Sequence, residues 1–147
     1  MRRFLTPILL ATALVVTGCS STGSTADAAK GMFASDSLVS SLGTVGMSPS
    51  QATGSLGSLV SLASNRLSPA DFSKFSGYLP NADKYLKAAD AAGLLKSPVT
   101  DVAGLNKNFA TMGVDPQVAR SFLGEMSKYF SSKGDAARSL FTTAISK

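Results

Sequence analysis

The sequence predicts an all-α domain of about six to seven short helices, preceded by a separate N-terminal segment. Three observations carry that prediction. From residue 36 onward apolar residues recur at three- and four-residue spacing, the period of one helical face. Ser, Asp or Asn, several of them followed by Pro, stand where these runs begin, as helix N-caps do. No stretch shows the strict apolar–polar alternation of a half-buried strand.

The elements follow in chain order. Met1-Arg2-Arg3 is a short basic region, and Phe4 to Val16 is an apolar run interrupted at Thr6, Pro7 and Thr12. Small residues Thr17 and Gly18 come next, giving the three-part layout of a secretory signal over residues 1–18. The run falls short of the roughly 20 apolar residues needed to cross a bilayer. The only cysteine of the chain, Cys19, stands directly behind it. Residues 19–35 are small and polar without periodicity, so a lipidated cysteine followed by a flexible tether is expected there.

The helical domain is expected over 36–147. Ser48-Pro49-Ser50-Gln51 reads as a capping box, a serine cap with glutamine three residues on. Behind it Ala52, Leu56, Leu59, Val60 and Ala63 form one stripe. Ser68-Pro69-Ala70-Asp71 starts the next helix, with Phe72, Phe75 and Leu79 inward. Asn81 is expected to cap a helix near 82–92, in which Asp83 and Lys87 can pair one turn apart. Val102, Leu105, Phe109 and Met112 form a further stripe, stopped by Gly113. Asp115-Pro116 opens a long helix with Val118, Ala119, Phe122, Leu123, Met126, Tyr129 and Phe130 on one side. Gly134 suits a left-handed stop, and Asp135 is expected to cap a last helix facing inward through Ala137, Leu140, Phe141, Ala144 and Ile145.

An internal repeat connects the two halves. Residues 46–57, GMSPSQATGSLG, and 113–124, GVDPQVARSFLG, share Gly, Pro, Ala, Leu and Gly at matching places, with Thr44 and Thr111 matching just upstream. Two pseudo-repeated three-helix units are therefore expected, at about 36–79 and 101–146, joined by the helix between them. Gly54, Gly57, Ser58 and Ser61 leave part of the first long helix without bulk. Glycine inside a helix costs about 1 kcal/mol against alanine, so this surface has a use: close approach of a neighbouring helix, or a ligand groove.

Two resemblances follow from these residues. Val16-Thr17-Gly18-Cys19 resembles the lipobox of bacterial lipoproteins. That likeness implies recognition of Val16, Thr17 and Gly18 by the lipoprotein signal peptidase and attachment of lipid to the Cys19 sulfur. Ser20 stands where an aspartate would favour retention in the inner membrane, which implies sorting to the periplasmic face of the outer membrane. Leu38 to Leu79 and residues 113–145 resemble the VcgC/VcgE family of uncharacterised bacterial proteins, over about 36–147. That likeness implies a small helical envelope domain and supplies no catalytic residues.

Chemistry is hard to build from the remainder. The chain has no histidine, so no Ser–His or Cys–His pair, and no serine lies three residues before a lysine. Asp36, Asp71, Asp101, Asp115 and Asp135 sit near helix starts, where the helix dipole favours negative charge. Neither a metal-ligating cluster nor a phosphate-cradling loop is present in sequence, so no cofactor and no metal are expected. The net charge is +5, but setting aside Arg2 and Arg3 leaves 12 basic against nine acidic side chains, too even a balance for nucleic acid. Arg120, Lys128, Lys133 and Arg138 read as a solvated face, with anionic headgroups the sharper alternative; Lys147 at the C-terminus has no supporting motif. The expectation is a non-enzymatic envelope lipoprotein, attached to the membrane through Cys19, with an envelope protein as partner. Binding of a lipid or small hydrophobic ligand in the periplasm is the alternative.

Overall fold

A computed structural model describes residues 37–146. The tether, Asp36 and Lys147 lie outside this range. Seven helices follow one another: α1 (Ser37–Thr44), α2 (Pro49–Arg66), α3 (Pro69–Tyr78), α4 (Ala82–Ala91), α5 (Val102–Thr111), α6 (Pro116–Ser132) and α7 (Asp135–Ile145). The described residues contain no strand, and the domain is all-α.

Most boundaries are made by the caps read from sequence. The Gln51 N–H donates to Ser48 Oγ at 3.2 Å, and the Ser48 N–H donates to Gln51 Oε1 at 2.9 Å, closing the capping box of α2. Ser68, Asp101 and Asp115 accept from the backbone N–H groups of Asp71, Gly104 and Gln117. Each satisfies a donor that has no partner within its own helix.

Two expected caps differ. Asn81 precedes α4 but adopts a left-handed backbone (φ 64°) and makes no side-chain capping bond, because the tight turn after Leu79 needs a positive φ that asparagine tolerates. Gly134 (φ 114°) itself occupies the cap position of α7, placing Asp135 one residue inside the helix, where its charge faces the positive end of the dipole. The expected Asp83–Lys87 ion pair does not form. Both side chains are exposed, where such a pair contributes little.

Three helix ends share one geometry. At Gly46, Gly93 and Gly113 the backbone turns to positive φ, and the next residue's N–H reaches the carbonyl five residues back: Met47 to Leu42, Leu94 to Ala89, Val114 to Phe109. In each case the two residues so linked are both buried, the apolar clasp that accompanies this C-terminal motif. The aligned segments around Gly46 and Gly113 thus turn in the same way, each followed by a cap, a proline and a long helix.

The two long helices live in different surroundings. In α2 every residue from Ala52 to Ala63 is buried, so the expected single stripe is instead a whole circumference; α1, α3, α4, α5 and α7 all pack on it. In α6 only Ala119, Phe122, Met126 and Phe130 are buried. The remaining core is aromatic. Phe130 is stacked between Phe75 (centroids 4.8 Å apart) and Phe141 (5.1 Å), joining α3, α6 and α7. Phe109 meets Phe122 edge-on at 5.3 Å, joining α5 to α6. Val118, Leu123, Tyr129, Leu140 and Ile145 are only half-buried at the margin of this core.

Phe130→Ala removes the middle ring of the stack. It is expected to cost about 3–5 kcal/mol, a large share of a small domain's stability. In urea unfolding this appears as a lower midpoint with an unchanged slope.

Candidate functional site

The small-residue surface of α2 is the feature that the sequence singles out most strongly. A Cβ placed on Gly57 would overlap the Tyr85 carbonyl oxygen and lie 2.5 Å from Ala89 Cβ, so the backbone of α4 occupies the space a side chain would fill. A Cβ on Gly54 would lie 2.5 Å from Met112 Sδ and 3.0 Å from Leu94 Cδ1. Ser58 Oγ accepts a hydrogen bond from Asn108 Nδ2 at 3.0 Å, and Ser61 is buried with its carbonyl accepting from Ser64 Oγ and Asn65 Nδ2. Protein atoms therefore fill the surface formed by Gly54 and Gly57, and Ser58 serves as a polar contact within the packing.

Three amide side chains hold the irregular parts of the chain against α2 and α5. Asn108 Nδ2 donates to Ser58 Oγ and to the Leu94 carbonyl, both at 3.0 Å. Asn65 Nδ2 donates to the Val99 carbonyl at 3.2 Å, and Arg66 Nη1 donates to the Thr100 carbonyl at 3.1 Å. Gln51 Nε2 reaches the Met112 and Gly113 carbonyls at 3.2 and 3.3 Å, tying the start of α2 to the end of α5. The long connection 92–101 is thus anchored through its backbone, with Leu94 and Val99 inserted in the core. Sequence reading missed these anchors. The available signal was Asn108, an amide standing at a core-facing position between Leu105 and Met112. One buried hydroxyl, Ser55 Oγ, has no hydrogen-bond partner.

The charged groups are spread out. Asp71, Asp101 and Asp115 are engaged at helix starts, Asp135 lies in the first turn of α7, and Glu125 pairs with Lys128 at 2.6 Å. Asp83 and Asp90 are exposed along α4. Among the described residues no group of three His, Cys, Asp or Glu side chains could hold a metal ion. Of the four basic residues noted in sequence, Lys128 is engaged with Glu125 and Lys133 Nζ sits 5.1 Å from the Tyr129 ring centroid; Arg120 and Arg138 are exposed. Phe122, Phe130 and Phe141 are core residues.

Two of the surface grooves are formed by the described residues. One, of about 260 Å³, lies between α1 and α6 and is lined by Leu38, Ser41, Glu125, Met126, Lys128 and Tyr129. The other, of about 160 Å³, borders the 92–101 connection and carries Lys96 and Lys107. Both are smaller than the roughly 300–1,000 Å³ of ordinary small-molecule sites. Among the described residues no helix is long and apolar enough to cross a membrane. Val16, Thr17, Gly18, Cys19 and Ser20 lie outside the described residues.

Comparison with known proteins gives one match. The family described as "Protein of unknown function VcgC/VcgE" (DUF2780) matches residues 12–146. The match begins earlier than the helical domain and takes in Cys19. No curated protein and no solved structure matches the chain.

Gly57 and Gly124 occupy the same place in the two aligned segments, yet a Cβ on Gly124 would meet nothing within 4 Å. Gly57→Ala is expected to destabilise the domain by about 1–3 kcal/mol through overpacking against the α4 backbone. Gly124→Ala is expected to stabilise it by up to about 1 kcal/mol through helix propensity alone. Thermal and urea unfolding of the two variants should move in opposite directions.

Proposed function

The chain belongs to the VcgC/VcgE family (DUF2780), and from that premise we propose that it is a non-enzymatic bacterial envelope lipoprotein whose helical domain binds another envelope protein. Lipid on Cys19 holds it at the periplasmic face of the outer membrane. The observation that carries this reading is the order of parts along the chain. A basic and apolar leader ends in Val16-Thr17-Gly18-Cys19, a small, polar stretch follows, and the first described helix begins at Ser37.

The chemistry of anchoring accounts for that order. The cysteine sulfur becomes the attachment point for lipid, and more than one acyl chain on a single residue exceeds the roughly two signals that stable membrane attachment requires. Seventeen residues between Cys19 and Ser37 span at most about 60 Å at roughly 3.5 Å each, enough to hold a folded domain clear of headgroups. The packing of the domain supports a role at its surface. Its core is filled with side chains, and the small-residue face of α2 is used by α4 and by Leu94 and Met112.

Cys19→Ser tests the anchor. The variant is expected to lose palmitate labelling and to leave the membrane fraction; normal processing and labelling in that variant would overturn the lipoprotein reading. Crosslinking in intact cells followed by affinity capture tests the role. A reproducible envelope protein is expected, and capture of none would count against protein binding.

A further inference from the structure

Gly124 stands at the midpoint of α6, where glycine weakens a helix. Its missing side chain serves no contact among the described residues: a Cβ there would meet nothing within 4 Å, so alanine would fit without adjustment. Gly43 and Gly77 are equally open, but each lies next to the last residue of its helix, where helices fray in any case. The matched glycine of the first aligned segment shows what such a residue permits. At Gly57 the missing side chain lets α4 cross α2 so closely that the Tyr85 carbonyl and Ala89 take the space.

The flanks of the two glycines differ. One turn before Gly57 stands Thr53 and one turn after it Ser61, both buried. At the same offsets from Gly124 stand Arg120 and Lys128, both exposed. Arg120, Gly124 and Lys128 follow one another at four-residue spacing and so share one face of α6. Gln117 and Ser121 are exposed on the same side, opposite the buried Ala119, Phe122 and Met126. Arg120 forms no ion pair among the described residues. Lys128 meets Glu125 while its side chain stays 76% exposed, so two cations stand here against one carboxylate. The face therefore offers close approach at its centre and a cation one turn to either side.

We propose that the Gly124 face of α6 receives a helix of another protein, as Gly57 receives α4 within the domain. The docking helix carries Ala, Gly or Ser where it crosses Gly124, and Asp or Glu one turn to either side, to meet Arg120 and Lys128. Close approach of the two backbones supplies packing, and the charges set the register and reject helices with cations at those places. A second copy of this face fits poorly. Whichever way the two helices run, a cation of one copy would meet a cation of the other. The inference rests on the proposal that the domain binds an envelope protein, and names the surface and the chemistry of the partner helix; it does not depend on lipid at Cys19.

Photo-crosslinking of the full chain in intact cells tests the surface. Benzoylphenylalanine at position 117, at the edge of the face, is expected to give an adduct that maps to a helix with acidic residues beside a small one. The same probe at position 84 or 90, exposed on α4, should not give it. Gly124→Leu fills the centre of the face with a better helix former. Thermal unfolding should therefore shift upward while the adduct falls by about tenfold or more. Arg120→Glu with Lys128→Glu should reduce the adduct several-fold with the far-UV circular dichroism unchanged, and Arg120→Lys with Lys128→Arg should retain it. An adduct indifferent to Gly124→Leu would overturn the docking, as would one that maps to a basic segment, to lipid or to a second copy of this chain. Adducts from α4 with none from position 117 would overturn this surface while leaving a protein partner in place; no adduct from any of these positions would overturn both readings.

Discussion

Close passage of α4 across Gly57 is the contact on which the rest of the domain depends. The Tyr85 carbonyl occupies the volume that any side chain at position 57 would need, and Ala89 fills the flank of the same contact. With α4 lying this close, α2 is covered on that side by backbone and small residues. The helices α1, α3, α5 and α7 cover other parts of it, and no residue from Ala52 to Ala63 is left in water. Glycines in the interior of a helix cost about 1 kcal/mol each in propensity. Here that cost is offset by the packing that only a missing side chain allows.

A helix enclosed on all sides forces its polar groups to find partners inside the protein. Thr53 turns its hydroxyl back to the Pro49 carbonyl, and Ser58 receives the Asn108 amide. Gln51 serves two ends at once, its oxygen closing the cap of α2 and its nitrogen holding the carbonyls that end α5. Ser55 alone among these buried side chains has an unpartnered oxygen. The same amides that satisfy the core also fix the path of residues 92–101, the longest irregular connection in the domain. Packing and hydrogen bonding are therefore one arrangement: the connection lies flat because its carbonyls are the acceptors that the amides require.

This organisation bears on function through what it leaves over. A domain whose interior is filled and whose small-residue face is occupied by its own helices presents its outer surface and its shallow grooves to the surroundings. The proposed anchor and leash assign roles to the N-terminal part in sequence order. In that reading, lipid fixes one end and polar residues provide distance.

By itself the sequence determined what depends on neighbouring residues along the chain. The all-α class, the caps at Ser48, Ser68, Asp101 and Asp115, and the stop at Gly113 follow from backbone donors and acceptors satisfied within a few positions, so residue type and spacing suffice. Where the local signal was ambiguous the reading slipped by a residue or a role. Asn81 supplies a positive φ in place of a side-chain cap, and Gly134 takes the cap position expected of Asp135. The use of the repeated motif was beyond sequence altogether. Gly57 and Gly124 stand at the same offset from matched caps and prolines, yet one is pressed against α4 and the other is exposed. Only the tertiary structure decided between them, because a helix carries no record in its own residues of which neighbour will cross it, or how closely.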